Sequence, residues 1–172
     1  ENWQHMLQRR HARHVELLAG LLQRLGEFDE SLKLSERSVD AHRHKLGPEH
    51  PDTQTVVTNL GLLYLSLERF DEAERLIREV MDLRLATVGD ANSDTLVSMS
   101  MLSRVLFRAG RYAEAEDLAI RAADRFAALR GPDHPYTLIA IDTVADVYEA
   151  WGKSDEAAIW RAKLPEDPPG GE

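Results

Sequence analysis

Arg104 and Arg108 lie four residues apart, one turn of a helix, and two guanidinium forks at that spacing can grip a carboxylate or phosphate on a peptide. The same arginines can instead pair with Asp142 and Asp146 on the next helix and hold the stack together, each exposed pair contributing roughly 0–1 kcal/mol. Asp142, Asp146 and Glu149 follow the i, i+4, i+7 spacing of one helix face. Three carboxylates so placed could hold a divalent cation or act as acid and base. Helix-borne metal sites usually add a histidine or a loop carbonyl, however, and none is spaced to do so here. A solvated or salt-bridged face is the expected role. His11 and His14 can share a face, His42 and His44 cannot do so well, and no third ligand completes a zinc site. His50 and His134 belong to a repeated turn and are expected to pack it. The chain has no Gly-x-Ser-x-Gly elbow, no phosphate-cradling glycine loop and no cysteine. Catalytic residues, cofactors and metals are therefore not expected within it.

The elements that position these side chains follow from composition and period. The 172 residues are 43% apolar and 30% charged, dominated by Ala, Leu, Glu and Arg, with few runs of β-branched residues, which favours an all-α fold. A formal net charge of -9 opposes binding to phosphate backbones and anionic membranes, so nucleic acid and membrane are not expected partners. No apolar run approaches the roughly 18 residues that span a bilayer. The absence of cysteine is compatible with a reducing cytoplasm, the expected location.

The turns reveal an internal repeat. Gly47-Pro48-Glu49-His50-Pro51-Asp52-Thr53 returns as Gly89-Asp90-Ala91-Asn92-Ser93-Asp94-Thr95 and as Gly131-Pro132-Asp133-His134-Pro135-Tyr136-Thr137, a period of 42 residues. The same offset relates Phe28-Asp29-Glu30-Ser31, Phe70-Asp71-Glu72-Ala73, Tyr112-Ala113-Glu114-Ala115 and Ser154-Asp155-Glu156-Ala157, so four units are present. In the first helix of each unit an apolar stripe runs at i, i+3, i+4 and i+7: Val15, Leu18, Ala19 and Leu22; Val57, Leu60, Gly61 and Tyr64; Met99, Leu102, Ser103 and Leu106; Ile141, Val144, Ala145 and Tyr148. Gly26, Gly110 and Gly152 close three of these helices, and Glu68 takes the fourth place. The second helix opens on acidic residues and carries Ala73, Leu76, Ile77 and Val80 at the same spacing. Small residues at 61, 103, 145 and at 73, 115, 157 allow close helix approach. Trp151 and Trp160 fall on stripe positions and are expected in the core. Arg161 stands where Ile77 and Ala119 stood, as suits a helix with no further repeat to cover it, and Pro165 stops the chain's last helix.

Leu60-Gly61-x-x-Tyr64 followed by Ala73 resembles the core of the tetratricopeptide repeat, with Val57 where that family often has Trp. The 42-residue period, longer than the usual length of about 34, resembles with its Gly-Pro-Glu-His-Pro-Asp-Thr turn the long repeats of kinesin light chains. The resemblance covers roughly residues 5–164 and implies an α-solenoid of four helix-turn-helix repeats, about eight antiparallel helices. The repeat domain is placed at 1–164, with units at about 5–46, 47–88, 89–130 and 131–164, and a flexible tail at 165–172. The ending Tyr148-Glu149-Ala150-Trp151-Gly152-Lys153, with Trp160-Arg161-Ala162-Lys163-Leu164, is also similar to the C-terminal repeat tails of some bacterial Ser/Thr protein kinases.

In such a solenoid the first helices line a concave groove that binds extended or helical peptides. Carried onto this sequence, the groove positions implied are Thr55, Thr58, Asn59, Leu62 and Leu65, then Val97, Ser100, Arg104, Phe107 and Arg108, then Asp142, Asp146 and Glu149. Leu62 and Phe107 would take an apolar side chain beside the arginines. Kinesin light chains typically place paired asparagines before the Leu-Ala or Leu-Gly of the first helix. The corresponding places hold Thr58 and Asn59, Ser100 and Met101, Asp142 and Thr143, so only Asn59 matches and a different peptide preference is expected. Leu62 also replaces an Asn of the clamp that reads two carboxylates on chaperone tails. The expected function is a protein-interaction scaffold without intrinsic enzyme activity. Two alternatives are a recognition arm of a larger signalling enzyme, given a chain that begins at Glu1 rather than Met, and a self-association module.

Overall fold

A computed structural model describes residues 26–165. Seven helices lie among them: α1 (Phe28–Leu46), α2 (Pro51–Ser66), α3 (Phe70–Val88), α4 (Ser93–Arg108), α5 (Tyr112–Arg130), α6 (Pro135–Ala150) and α7 (Ser154–Arg161). The first helix of the first repeat, with Val15, Leu18, Ala19 and Leu22, falls outside the described residues. So do His11, His14 and residues 166–172 of the tail. The chain divides into two compact units, 1–76 and 77–172, with α3 beginning in one and ending in the other. In the first, α1 packs on α2; in the second, α4 packs on α5, α5 on α6 and α6 on α7, while α4 also neighbours α6.

The apolar stripes face inward as their period requires. Val57, Leu60, Gly61 and Tyr64 are buried, as are Met99, Leu102, Ser103 and Leu106, and Ile141, Val144, Ala145 and Tyr148. Ala73, Leu76, Ile77 and Val80 do the same on α3. Each fully buried Leu or Val contributes roughly 1.5–3 kcal/mol, and these rows therefore fix which face of each helix is left for solvent. On α5 the buried residues are Ala115, Ala119, Ala122, Ala123 and Phe126, four small side chains and one large one. Small residues bring α4 and α5 close enough for the buried Ser103 hydroxyl to donate to the Ala115 carbonyl at 2.8 Å.

Each repeat carries its own punctuation. The repeated turn places an acceptor one residue before α2, α4 and α6: His50 Nδ1 accepts from the Asp52 N–H at 3.1 Å, Asn92 Oδ1 from Asp94 at 2.8 Å and His134 Nδ1 from Tyr136 at 3.2 Å. These are N-caps, with Pro51 and Pro135 at the first helical position, where a missing N–H costs nothing. The histidines thus have a more specific role than turn packing, and for Nδ1 to accept, the ring proton must sit on Nε2.

The first helices end on one hydrogen-bonding scheme. The Arg69, Arg111 and Lys153 N–H groups reach back to the Tyr64, Leu106 and Tyr148 carbonyls, each at 2.9 Å, and the preceding residues, Glu68, Gly110 and Gly152, bond Leu65, Phe107 and Glu149. This is the Schellman arrangement, and it needs a left-handed residue. Gly110 and Gly152 have φ of 79°, whereas Glu68 is held at 58°, the only non-glycine with positive φ among the described residues. A side chain there costs about 1–2 kcal/mol, partly offset by the greater freedom glycine gives the unfolded chain. Glu68→Gly is therefore expected to stabilise the protein by about 0.5–1 kcal/mol in urea unfolding. A lower midpoint than wild type would show that Glu68 contacts outweigh the strain.

Candidate functional site

The face that packing leaves open on the first helices is where the expected site residues can be tested. On α4, Arg104 and Arg108 are exposed, and Val97, Ser100 and Phe107 are half-buried, with Ser100 Oγ donating to its own helix at the Leu96 carbonyl. On α6, Asp142, Asp146 and Glu149 are exposed. On α2, in the other unit, Thr55 and Asn59 are exposed and Leu62 is half-buried. Thr58 and Leu65 are buried instead, and the Thr58 hydroxyl donates to the Gln54 carbonyl at 2.8 Å, so neither presents a side chain to a ligand.

The cation that serves the acidic face is Arg161. Its guanidinium, at the end of α7, bonds Glu149 and lies 3.5 Å from Asp146. The position held by Ile77 and Ala119 in the two preceding repeats thus became a clasp between the last two helices. Partial loss of solvent around this still exposed side chain, with Asp142 one turn away, raises the Asp146 carboxyl above the usual carboxylate range, against the pull of Arg161. A carboxyl raised on folding adds stability below its unfolded pKa and loses it as pH climbs through the folded value. Asp146→Asn should therefore gain on wild type in melting temperature from pH 3 to pH 7. A gain at pH 3 that vanishes at pH 7 would mean that the Arg161 pair dominates.

The edges of this face carry aromatic pairs. Tyr148 OH donates to Glu116 at 2.6 Å, and burial together with that bond pushes the phenol up to about 12. Tyr64 makes the same kind of bond to Glu36 at 2.6 Å. Trp151 is half-buried rather than in the core: one residue past the end of α6, it stacks on Tyr112 at 6.0 Å and carries Lys153 over its ring at 3.4 Å. Trp160 is likewise half-buried, with Lys163 over it at 3.2 Å. Among the described residues, no group of His, Asp and Glu side chains is arranged to hold a metal ion, and no helix is long and apolar enough to cross a membrane.

Two exposed apolar residues on α6 were not anticipated, Tyr136 and Ile139, at 46% and 60% exposure. The 42-residue register could have found Ile139, since it is the counterpart of Thr55 and Val97, which are named above as groove positions.

The tetratricopeptide repeat model matches residues 11–86 and 94–160. The chain belongs to the tetratricopeptide repeat family. Such repeats generally mediate protein–protein interactions and are typically non-catalytic. Among solved structures, a putative kinesin light chain of Podosopora anserina with nearly identical tetratricopeptide-like repeats superposes with a TM-score of 0.76 at 24% identity, covering 88% of this chain and 72% of that one. BtubC (BKLC) from P. vanneervenii gives 0.71 at 19% identity, over 94% and 67%. MamA of MSR-1 gives 0.58 at 25%, over 88% and 74%. These likenesses show an all-α fold of tetratricopeptide type, similar to that of kinesin-light-chain-like repeat proteins. No curated protein sequence matches this chain.

Proposed function

We propose that this chain is a non-catalytic interaction scaffold that binds a segment of another protein on the open face of its first helices α4 and α6. The observation that carries the reading is that this face holds side chains that packing does not use. Arg104, Asp142 and Ile139 are exposed beside the half-buried Val97 and Phe107, while the opposite sides of α4 and α6 are buried. An apolar floor with charged rims suits a peptide whose affinity rests on a few anchors.

Selection of binders from a random peptide library on the full chain tests this, followed by amide-shift mapping of the tightest peptide. Shifts concentrated on exposed positions of α4 and α6 are the expected result. Shifts confined to the outer faces of α3, α5 and α7 would overturn the assignment of the face, and recovery of no binder would overturn the scaffold reading.

A further inference from the structure

Repeats of one register act as internal controls for one another, and the turn leading into α6 departs from its counterparts. Where the preceding repeat has Arg84, whose guanidinium donates to the Asp94 carbonyl at 3.0 Å and to Ser98 Oγ at 2.8 Å, this one has Phe126, whose ring meets Tyr136 at 5.7 Å. Tyr136 itself replaces Asp52 and Asp94, Leu129 replaces Lys45 and Thr87, and Ile139 replaces Thr55 and Val97. At these positions mostly polar side chains have become aromatic and aliphatic ones. Phe126 is buried beneath, while Leu129, Tyr136 and Ile139 remain 45%, 46% and 60% exposed. Tyr136 and Ile139 lie at i and i+3 on α6, hence on one face, and Leu129 lies at i+3 from Phe126 on α5.

Two carboxylates flank this patch along the chain. Asp133 precedes it and Asp142 follows Ile139 by one turn, both exposed. The nearest cation in sequence, Arg130, is turned to Ser93 Oγ at 2.8 Å. The apolar area is on the order of a few hundred Å², below the roughly 800 Å² per partner of a stable protein dimer, which favours a short segment over a second copy of the chain.

Resting on the scaffold reading, we infer that Tyr136 and Ile139, with Leu129 at their edge, dock an apolar side chain of a partner segment whose flanking residues are lysine or arginine, received by Asp142 and Asp133. Apolar contact supplies the anchor, and the two carboxylates select the sign of the flanks and exclude acidic segments.

Fluorescence polarisation of the full chain with two labelled ten-residue peptides tests this. Both peptides carry a central Leu-Leu pair in a Ser/Gly background, one flanked by lysines and the other by glutamates. Wild type is expected to bind the lysine peptide at least tenfold more tightly. Ile139→Thr, which installs the residue of a sibling repeat, and Tyr136→Ser, which removes the ring without adding charge, should each weaken it about tenfold, and Asp142→Lys should abolish the preference between peptides. Equal binding of both peptides, or tighter binding of the glutamate peptide lost in Arg104→Ala, overturns the inference while leaving the scaffold reading intact. Binding of neither also overturns it, and the library selection then decides whether the scaffold reading falls as well. Concentration-dependent dimerisation abolished by Ile139→Thr would give the patch to a second copy and likewise overturn the inference.

Discussion

Truncating Phe126 to alanine is expected to lower the unfolding free energy by about 3–5 kcal/mol, a large share of the roughly 5–15 kcal/mol that holds a typical domain together. The size follows from its surroundings. Every other buried side chain on α5 is an alanine or the equivalent of one, so no flexible neighbour on that helix can swing into the space. Phe126 is 2% exposed, and its ring also supports Tyr136 from below. Its loss opens a cavity and removes an aromatic contact worth about 0.5–1.5 kcal/mol beyond the buried area. Phe126→Leu, which keeps most of the volume, should cost substantially less. Urea unfolding of both variants checks the ranking; equal, small losses would show that α5 and α6 close around the gap.

Enlarging Ala115 to leucine is expected to cost roughly 2–5 kcal/mol for the opposite reason. Ala115 has no exposed surface, and its carbonyl receives the Ser103 hydroxyl at 2.8 Å. A longer side chain must force α4 and α5 apart, adding strain and leaving a buried hydroxyl without its acceptor. Ala113→Leu, two residues earlier on the exposed side of α5, is the control and should stay within about 0.5 kcal/mol of wild type. Comparable losses in the two variants would mean that leucine at the start of α5 is harmful for some reason other than the close approach.

Much of the architecture was legible because a repeat states its pattern several times. Gly47, Gly89 and Gly131 set the period, and the inward stripes then followed from helical spacing alone. Glu68 was marked as the odd member of a set of cap glycines, and its backbone is indeed left-handed. The misses arise where periodicity stops being informative. The stripe spacing expects Trp151 in the core, yet it is half-buried one residue past the end of α6, where how much covers a side chain is a tertiary property. Thr58 lies between two buried rows, so its burial depends on how wide the packed face is, a tertiary property. Arg161 reaches the acidic residues from another helix, and the length of an arginine lets it choose among partners that spacing cannot rank. The open face itself was readable by register, except that Ile139 drew no attention because it is neither charged nor on the buried stripe.

The self-contained caps bear on how such a chain changes length in evolution. Among the described residues, the first helices α2, α4 and α6 are each started by a side chain two residues from the N–H it binds and finished by a bond back into the helix's own last turn. Gly89 and Gly131 share nearly the same backbone twist, with φ of 81° and 93°. A recombination event that excised residues 89–130 would join Val88 to Gly131, another glycine suited to that bend, and α2 and α6 would keep their own start and stop signals. Gain or loss of whole 42-residue blocks is thus compatible with these local signals, whereas an insertion between a cap and its helix, as between His50 and Pro51, would part the two.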